Sequence, residues 1–258
     1  MKPVTLITGA SAGIGMALAR VFAENGHELV LAARREDRLN ALAAEIAAAG
    51  HKRPSVVAVD LQSESAIASL AAVLAARDQE IGNVVNNAGF GLAGRAAKLD
   101  RAQQLAMIDL NVRALSELSL YFIESLERNR GGVLNVASVA AFIPGPNMAV
   151  YYATKAYVLS FSEALHYELA SRGIRVTALC PGPVPTEFQA RAGFTIDGAL
   201  NAFTLSAERV ARIGYDGFMR GQRVVIAGTA NRLMVALLKL VPHGLLLPIA
   251  NRGMRRGN

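Results

Sequence analysis

The sequence predicts a doubly wound α/β fold, in which a seven-stranded, mostly parallel sheet carries helices on both faces. Three observations support this prediction: apolar runs recur along the 258 residues, amphipathic or Ala-rich stretches separate them, and glycines directly follow the first run. Strands that alternate with helices form parallel sheets, because each crossover helix brings the chain back to the end of the sheet at which the previous strand began. The chain is long enough to form one such domain with a substantial core.

The strands are predicted from short apolar runs, most of them rich in β-branched residues. Runs without alternating polar side chains are typical of strands that are buried on both faces, as in a parallel sheet. In such sheets ligands bind at the carboxyl ends of the strands, so the segments after the runs are the candidate functional segments. The seven runs are Pro3–Thr8, Glu28–Ala33, Ser55–Asp60, Asn83–Val85, Gly132–Ala137, Arg175–Leu179 and Gln222–Ala227.

The amphipathic or Ala-rich stretches between these runs predict the crossover helices. No low-complexity linker, charge block or internal repeat interrupts the alternation. We therefore expect a single catalytic domain over residues 1–230, followed by a helical C-terminal extension over residues 231–258. The predicted helices are Ile14–Glu24, Glu36–Ala49, Glu64–Arg77, Arg101–Arg128 and Ala149–Arg172.

The turn after the first strand contains Gly9, Gly13 and Gly15 in a G-x-x-x-G-x-G spacing. Glycines at a strand-to-helix turn let the backbone approach a pyrophosphate and let the helix pack closely on the sheet. The helix N-terminus then directs free N–H groups and the positive end of its dipole toward the phosphates. The pattern favours a dinucleotide site, and a glycine-rich turn without a ligand is the alternative.

Tyr151 and Lys155 are four residues apart in a stretch predicted to be helical, so their side chains project from one face. A phenol has an unperturbed pKa near ~10, too high for useful proton exchange at neutral pH. An ammonium group held nearby favours the phenolate and lowers that pKa. Tyr151 is therefore a candidate general acid and base, and Tyr152 is a rival with a different spacing from Lys155.

Five motifs follow one another in a set order along the chain. They are Thr8–Gly15 with the pattern TGxxxGxG, Asn86–Gly89 with the pattern NNAG, Asn111, Ser138 with Tyr151-x-x-x-Lys155, and Pro181-Gly182 with Thr186. In these motifs the sequence resembles the short-chain dehydrogenase/reductase family, from about Pro3 to about Ala227. The resemblance implies a Rossmann-like domain and hydride transfer between a nicotinamide and a carbonyl compound or secondary alcohol.

The resemblance also implies a role for each catalytic side chain. Tyr151 would donate a proton to a carbonyl oxygen, which the Ser138 hydroxyl fixes and polarises. Lys155 would lower the pKa of Tyr151 and bind the nicotinamide ribose, and Asn111 would hold a water that links Lys155 to solvent. The alternatives are structural: Ser138 ends a strand, and Asn111 is a polar group bonded to backbone inside a helix.

The end of the second predicted strand bears on the choice of cofactor. It reads Leu31-Ala32-Ala33-Arg34-Arg35, without the acid that usually binds the adenosine ribose of NAD. Because guanidinium groups bind phosphate bidentately, we predict NADP(H), with Arg34 the better candidate for its 2′-phosphate. The alternative is that both arginines only begin a solvated helix. The cofactor-binding residues implied by the resemblance are Gly9, Ser11, Ala12, Gly13, Ile14, Gly15, Arg34, Arg35, Asp60, Leu61, Asn87, Ala88, Gly89, Tyr151, Lys155, Pro181, Gly182, Val184 and Thr186.

The substrate is expected between two mainly apolar segments. Residues 140–148 are apolar apart from Asn147, and the predicted substrate loop at about 183–205 has Arg191 as its main cation. Apolar walls around a few polar groups suit a hydrophobic ketone or aldehyde. The alternative is that the apolar residues only pack the loop onto the domain. The aromatic and apolar residues of the predicted substrate loop are Phe188, Phe194, Ile196 and Phe203.

We therefore predict an NADP(H)-dependent carbonyl reductase. The second hypothesis, from another class of protein, is a cofactor-binding sensor or scaffold without turnover. Proteins of that kind typically lose the catalytic Tyr or Lys, whereas this chain keeps Tyr151 and Lys155 together with Asn111 and Ser138. The intact set favours the enzyme.

The net charge of +7 and the pI of 9.9 arise largely from the C-terminal extension, which contains five basic residues and no acids. No basic stripe with stacking aromatics accompanies them, so we expect no nucleic-acid partner. The apolar run of the extension is broken by Lys239, Pro242 and Pro248, which argues against a spanning helix. We expect the extension to pack on the domain or at a subunit interface, and peripheral contact with an anionic membrane is the alternative.

Histidine and cysteine usage limits the other functions. The four histidines are scattered without ligand spacing, so we expect no metal. Cys180, the only cysteine, cannot form an intramolecular disulfide, which suits a cytoplasmic protein. The resemblance also implies a homodimer or homotetramer that assembles through the helices predicted at Arg101–Arg128 and Ala149–Arg172.

Overall fold

The computed structural model describes residues 2–196, 198–238 and 241. Its seven strands form one sheet in the order β3-β2-β1-β4-β5-β6-β7, and every neighbouring pair is parallel. The predicted doubly wound α/β fold is confirmed. The strands are β1 Lys2–Thr8, β2 Leu29–Ala33, β3 Ser55–Ala58, β4 Gln79–Asn86, β5 Gly132–Val136, β6 Arg175–Cys180 and β7 Val224–Ile226.

Helices cover both faces of the sheet and connect successive strands. Short 3₁₀ turns lie at Val139–Phe142 and Gly198–Phe203, and a π-helical segment lies at Asp109–Ala114. The helices are α1 Gly13–Glu24, α2 Glu36–Ala48, α3 Ala66–Ala76, α4 Arg101–Ile108, α5 Leu115–Tyr121, α6 Ile123–Arg128, α7 Ala149–Ala170, α8 Glu187–Ala192, α9 Ala207–Met219 and α10 Thr229–Leu238.

Two apolar cores lie on opposite faces of the sheet, because successive side chains of a strand point to opposite sides. Ile7 of β1 and its partner Leu31 of β2 belong to the core under α1, α2 and α9. Leu6 and its partner Val30 belong to the core under α3, α5 and α7. Burial on both faces explains why the strands are mainly apolar.

The strand order reverses between β1 and β4, and this reversal positions the candidate site. The chain moves outward from β1 to β3 on one side and from β4 to β7 on the other. A crevice opens at the carboxyl ends of the strands where the two halves diverge. The glycine turn after β1 and the segment after β4 form its two sides.

The prediction of a single helix over Arg101–Arg128 is wrong. The structure divides this stretch into α4, the π-helical segment, α5 and α6. The π-helical segment accommodates Asn111, whose side chain bonds to the backbone of Phe90 outside the helix. The second break falls at Phe122, whose backbone leaves helical geometry while its ring is buried in the core. Hydrophobic periodicity shows neither break, because both stretches keep an apolar face.

Two further differences concern β4 and the substrate loop. β4 begins at Gln79 rather than Asn83, because Lys2 of β1 pairs with Gln79 at the start of the sheet. The segment predicted as the substrate loop contains α8 and a 3₁₀ turn. Much of the predicted C-terminal extension lies outside the described residues; within them α10 ends at Leu238. In the part of the chain that is described, no helix is both long and apolar enough to cross a membrane.

Candidate active site

A cavity of about 1350 Å³ lies in the crevice at the carboxyl ends of the strands. It is larger than the roughly 300–1,000 Å³ of a typical small-molecule pocket, so it has room for a dinucleotide beside a substrate. Its lining runs without interruption from the glycine turn after β1 to Tyr151 and Lys155 on α7. The nucleotide and catalytic motifs therefore face the same space.

The glycine turn fits the phosphates of a dinucleotide. Gly9 and Gly13 have φ angles of +64° and +54°, which L side chains rarely adopt. A Cβ atom on Gly15 would lie 2.3 Å from Nδ2 of Asn87 and 2.5 Å from the carbonyl oxygen of Gly9. Ala12 precedes α1 without a side-chain cap, so the first N–H groups of the helix stay open to an anion.

A hydrogen-bond network joins the glycine turn to the end of β4. The Thr8 hydroxyl accepts from the backbone N–H groups of Asn87 and Ala88 at 3.0 and 3.1 Å. The Asn87 side chain donates to the carbonyl oxygens of Thr8 at 2.9 Å and Gly9 at 3.2 Å. Because these bonds cross the point where the sheet order reverses, they fix the distance between the two sides of the crevice.

The basic residues after β2 lie at one end of the crevice. Arg34 is exposed, whereas Arg35 donates to the Ser11 hydroxyl from Nε at 3.3 Å and from Nη2 at 3.1 Å. Arg35 also forms an ion pair with Glu187 of α8, with Nη1 and Oε2 at 2.8 Å. Both arginines line the cavity, and their binding of a 2′-phosphate stays a prediction.

Most of the remaining predicted cofactor residues also line the crevice. Asp60 accepts a hydrogen bond from the backbone of Gln62 at 3.1 Å, which holds the turn after β3. A Cβ atom on Gly13 would lie 2.9 Å from Cγ2 of Thr186, so the segment after β6 closes against the glycine turn. The predicted residues that line the cavity here are Ile14, Asp60, Leu61, Ala88, Gly89, Pro181, Gly182, Val184 and Thr186.

Ser138, Tyr151 and Lys155 meet at the end of β5. Ser138 has an extended backbone, and its hydroxyl accepts from the N–H group of Ala140 at 3.1 Å and donates to Pro181 O at 3.5 Å. Ser138 is close enough to the Tyr151 phenol to influence its protonation. The Lys155 ammonium lies 5.9 Å from the centroid of the Tyr151 ring and donates to the carbonyl oxygen of Val136 at 2.7 Å.

Burial dominates the protonation of this group. It lowers the pKa of Lys155 from 10.5 to about 8, because the buried ammonium is poorly solvated. Burial also raises the pKa of Tyr151 above its ordinary value, while the nearby Ser138 side chain acts in the opposite direction. The expectation that Lys155 lowers the pKa of Tyr151 is therefore not met here, because the desolvation of the phenol outweighs other influences.

Asn111 joins the catalytic helix to the loop after β4. Its Oδ1 accepts from the N–H group of Phe90 at 3.1 Å, and its Nδ2 donates to Phe90 O at 2.9 Å and to the Thr154 hydroxyl at 3.1 Å. The Thr154 hydroxyl in turn donates to the carbonyl oxygen of Tyr151 at 2.7 Å. The Asn111 amide thus fixes the loop and α7 relative to each other, and its role in holding a water stays a prediction.

Aromatic side chains form the outer wall beside Tyr151. The ring of Phe188 on α8 lies 5.4 Å from the Tyr151 ring, and Phe194 lies 6.3 Å from Phe188. The Tyr152 ring lies 6.1 Å from that of Tyr151 and packs against Gly145. Phe203 also lines the cavity.

The segment that carries this wall is anchored at both ends. Thr186 and Gln189 form a capping box at the start of α8. The carbonyl oxygen of Ala192 at its end accepts from the N–H group of Ala93 at 2.8 Å, across the crevice. The guanidinium of Arg191 lies over the Phe90 ring, 4.5 Å from its centroid.

Three residues of the site are not predicted from the sequence. Thr154 bridges Asn111 and Tyr151, and Arg38 joins Arg35 in binding Glu187. Thr154 lies between Tyr151 and Lys155, and the Tyr-x-x-x-Lys pattern specifies only the two end residues. The neighbouring sequence does not indicate a role for Glu187 or Arg38, because these two paired residues lie about 150 positions apart in the chain. Among the described residues no group of three or more His, Cys, Asp or Glu side chains could hold a metal ion.

Comparisons with known proteins agree with this site. The family profile described as short chain dehydrogenase matches residues 3–195. Sulfoacetaldehyde reductase 2 of Chromohalobacter salexigens is 37% identical over 191 residues, which cover 73% of this chain and 75% of that protein.

Solved structures are similar over nearly the whole chain. A short-chain dehydrogenase from Sphingobium yanoikuyae in complex with NADPH has a TM-score of 0.81 and 32% identity, with 93% of this chain and 96% of that one covered. The bulky-bulky ketone specific alcohol dehydrogenase from Comamonas testosteroni has a TM-score of 0.76 and 28% identity, with 93% and 95% covered.

The matched region contains the glycine turn, the Asn-Asn-Ala-Gly segment, the Ser-Tyr-Lys group and the segment after β6. With this set of residues in one crevice, the protein is a nicotinamide dinucleotide-dependent oxidoreductase of alcohol or carbonyl substrates. The chain belongs to the short-chain dehydrogenase family.

Proposed function

We propose that the protein is an NADP(H)-dependent carbonyl reductase that converts a hydrophobic ketone or aldehyde into the alcohol. The observation that carries the proposal is that the buried Ser138 and Lys155 and the half-buried Tyr151 line the same crevice as the glycine turn. A bound nicotinamide would supply the hydride. The protein's own residues have to hold the carbonyl, deliver a proton and exclude water.

Ser138 and Tyr151 perform the proton transfer in this proposal. The Ser138 hydroxyl and the Tyr151 phenol, which influence each other's protonation and both line the cavity, would bind the carbonyl oxygen. Since the pKa of Tyr151 is raised, the phenol carries its proton at neutral pH and can donate it to the developing oxyanion. The protonated phenol is the form that acts in reduction, and the reverse reaction requires the phenolate to accept a proton from the alcohol.

Lys155 and Asn111 support the same chemistry. The Lys155 pKa of about 8 places its protonation change near neutral pH, which suits a group that passes protons to Tyr151. Asn111 fixes α7 through Thr154, so the phenol stays in position relative to the loop after β4. The intact group argues against the sensor or scaffold hypothesis.

The proposed NADP(H) preference rests on Arg34 and Arg35 at the adenosine end of the crevice. Arg35 is oriented by Ser11 of the glycine turn, so its guanidinium is held near the dinucleotide phosphates. The Sphingobium relative in complex with NADPH adds support.

The proposed hydrophobic substrate rests on the wall of Phe188 and Phe194 beside Tyr151, where Met148 also lines the cavity. The relative from Comamonas, named as specific for bulky-bulky ketones, adds support. The relative named as a sulfoacetaldehyde reductase makes a short anionic aldehyde the necessary comparison substrate.

The proposal extends to the whole protein. It comprises a catalytic domain over residues 1–230 and an extension over residues 231–258 that packs on the domain or on a second subunit. We propose a homodimer or homotetramer in the cytoplasm. The buried Cys180 supports a reducing location, and the exposed apolar side chains of α4 and α7 support assembly. Binding to anionic vesicles would instead favour the membrane alternative for the extension.

The test compares oxidation of NADPH and NADH by their absorbance, over ketones and aldehydes of increasing chain length and over sulfoacetaldehyde. We expect NADPH-dependent turnover that rises with apolar size, and a loss of about 10²–10⁴-fold in Tyr151→Phe, as is typical of a removed general acid. Tyr152→Phe is the matched control and should keep its activity.

Cofactor dissociation constants from the same proteins separate the outcomes. Tight NADPH binding by wild type and Tyr151→Phe alike, with turnover only in wild type, supports the proposal. A preference for sulfoacetaldehyde over every apolar carbonyl would contradict the hydrophobic substrate. Activity that survives in Tyr151→Phe would remove the phenol from the mechanism.

A further inference from the structure

A carboxylate from the substrate-binding side of the crevice reaches the two arginines on the adenosine side. Glu187, the first residue of α8, pairs through one oxygen with Arg35 at 2.8 Å and through the other with Arg38. These arginines belong to the segment after β2, about 150 residues earlier in the chain. Neither pair would be expected from the local sequence.

The surroundings of this carboxylate have the chemistry of a phosphate site. Arg35 presents three donors: Nε and Nη2 bond Ser11 of the glycine turn, and Nη1 bonds Glu187. The two arginines hold the pKa of the Glu187 carboxyl below its usual range, so an anion lies between them at neutral pH. Guanidinium pairs of this kind bind carboxylate and phosphate oxygens alike.

The position of Glu187 connects the two halves of the active site. It directly follows Thr186, which packs on Gly13 of the glycine turn, and it directly precedes Phe188 beside Tyr151. A ligand that withdraws Arg35 from Glu187 therefore acts on the first turn of the helix that carries the substrate wall.

We propose that Glu187 is a cofactor-specificity residue, whose carboxylate occupies the anion position at Arg35 and Arg38 and competes with the 2′-phosphate of NADP(H). This inference rests on the NADP(H) preference proposed above. NADPH has to take Arg35 from Glu187 before this guanidinium can join Arg34 in binding the 2′-phosphate. NADH has no 2′-phosphate and leaves the ion pairs in place.

The inference predicts that Glu187→Gln changes the binding of NADPH but not that of NADH. We expect the dissociation constant for NADPH to fall about three- to fivefold, the size of one exposed ion pair, with that for NADH unchanged. Glu187→Asp keeps the charge and should stay close to wild type. Titration of the full-length protein by quenching or energy transfer of nicotinamide fluorescence measures all of these constants.

Glu36→Gln is the matched control, because Glu36 is exposed beside Arg35 and forms no ion pair with another described residue. It removes the same charge from the same surface without releasing an arginine. If NADPH binds more tightly by the same factor in Glu36→Gln and in Glu187→Gln, the effect comes from the loss of any negative charge on this surface. That result would overturn the inference. Unchanged NADPH binding in Glu187→Gln, or equal tightening for both cofactors, would overturn it as well.

Arg35→Ala distinguishes failure of this inference from failure of the proposed cofactor. If Arg35→Ala weakens NADPH while Glu187→Gln changes nothing, only the role of Glu187 is wrong. If wild type prefers NADH and Arg35→Ala leaves NADPH binding unchanged, the NADP(H) proposal fails and the inference fails with it.

Discussion

At the residue scale, the ammonium group of Lys155 lies in the interior against the carbonyl oxygen of Val136. Protonation of a buried amine opposes folding, because the charged form loses its hydration. The pKa falls from 10.5 to about 8, so at ~1.4 kcal/mol per pH unit the charge costs about 3 kcal/mol of stability below pH ~8. The protein therefore keeps a destabilising residue at the centre of its site.

The first prediction at this scale is that Lys155→Met abolishes turnover and yet stabilises the fold at pH 7. The lost bond to Val136 offsets part of the gain, so we expect about 1–2 kcal/mol. The pKa of Lys155 is lower in the folded protein than in the unfolded chain. The stability of wild type therefore rises relative to that of Lys155→Met between pH 8 and 10.5, and the advantage of the variant disappears over this range. Urea unfolding at several pH values measures this.

The exposed Lys98 supplies the control for this prediction. Lys98→Met should show neither the gain at pH 7 nor its loss at high pH. A Lys155→Met protein that is less stable than wild type at pH 7 would mean that the bond to Val136 outweighs the cost of burying the charge.

The residues of the site were predictable to unequal degrees. Gly9, Tyr151 and Lys155 are recognisable because their spacing within one turn or one helix encodes their function locally. Ser138, which lies outside that helix, is recognisable only through the resemblance to the family. The protonation of Tyr151 was not predictable, because the spacing of residues does not show how deeply a phenol is buried. The partners of Glu187 depend on the approach of distant segments, which no local pattern contains.

At the scale of elements, the π-helical segment between α4 and α5 determines how the catalytic helix is held. Its Asn111 contacts both the loop after β4 and Thr154 of α7. A π-helical turn inserts an extra residue into the helix, and such turns are frequent at functional sites. Here it places an amide where three hydrogen bonds converge.

We predict that Thr154→Val loosens this connection. The change leaves a buried N–H of Asn111 without its acceptor and removes the bond to the carbonyl oxygen of Tyr151, at a cost of about 1–3 kcal/mol. We expect a severalfold lower kcat with an unchanged dissociation constant for NADPH, because the glycine turn is untouched. Steady-state kinetics with cofactor titration measures both.

Thr154→Ser restores the hydroxyl and serves as the rescue variant. It should recover most of the lost kcat. If Thr154→Val and Thr154→Ser behave alike in turnover, the hydroxyl does not position Tyr151.

The elements themselves were predictable where apolar runs define them. All seven strands are present, because strands buried on both faces leave an uninterrupted apolar signature in the sequence. The first five residues of β4 are polar or glycine except for Ile81, so this part of the strand carries no such signature. The six residues of α8 are too few for helical periodicity to distinguish them from a loop.

At the scale of the whole molecule, α4 and α7 expose apolar side chains that the monomer leaves uncovered. Leu105 and Ile108 on α4 are 54% and 39% exposed, and Tyr157 on α7 is 42% exposed. α4 and α7 also contact each other, so these side chains share one region of the surface. Contiguous exposed apolar groups are typical of an interface between subunits.

We predict that Leu105→Glu shifts the protein toward smaller assemblies. A carboxylate at the proposed interface would lose its hydration on assembly, which disfavours association. Sedimentation velocity over a range of concentrations measures the subunit number. Leu233→Glu on α10, with a side chain exposed to 61%, is the matched control on another surface.

The two substitutions distinguish the surfaces. Dissociation of Leu105→Glu alone supports assembly through α4 and α7. Dissociation of Leu233→Glu alone would assign the interface to the C-terminal part of the chain, and a wild type that sediments as a monomer would contradict the proposed oligomer.

The attachment of α8 has a consequence for the descent of this protein. Its capping box, its bond to Ala93 and its ion pairs hold it across the crevice, while Ala192 is its one buried side chain. Mutations on its other positions can thus accumulate without disturbing the two cores beneath the sheet. After gene duplication, copies with substitutions at positions of α8 other than Glu187 would diverge in the carbonyl compound that they accept and inherit the dinucleotide-binding half unchanged. Selection for a new metabolic role would begin with a few substitutions in this helix.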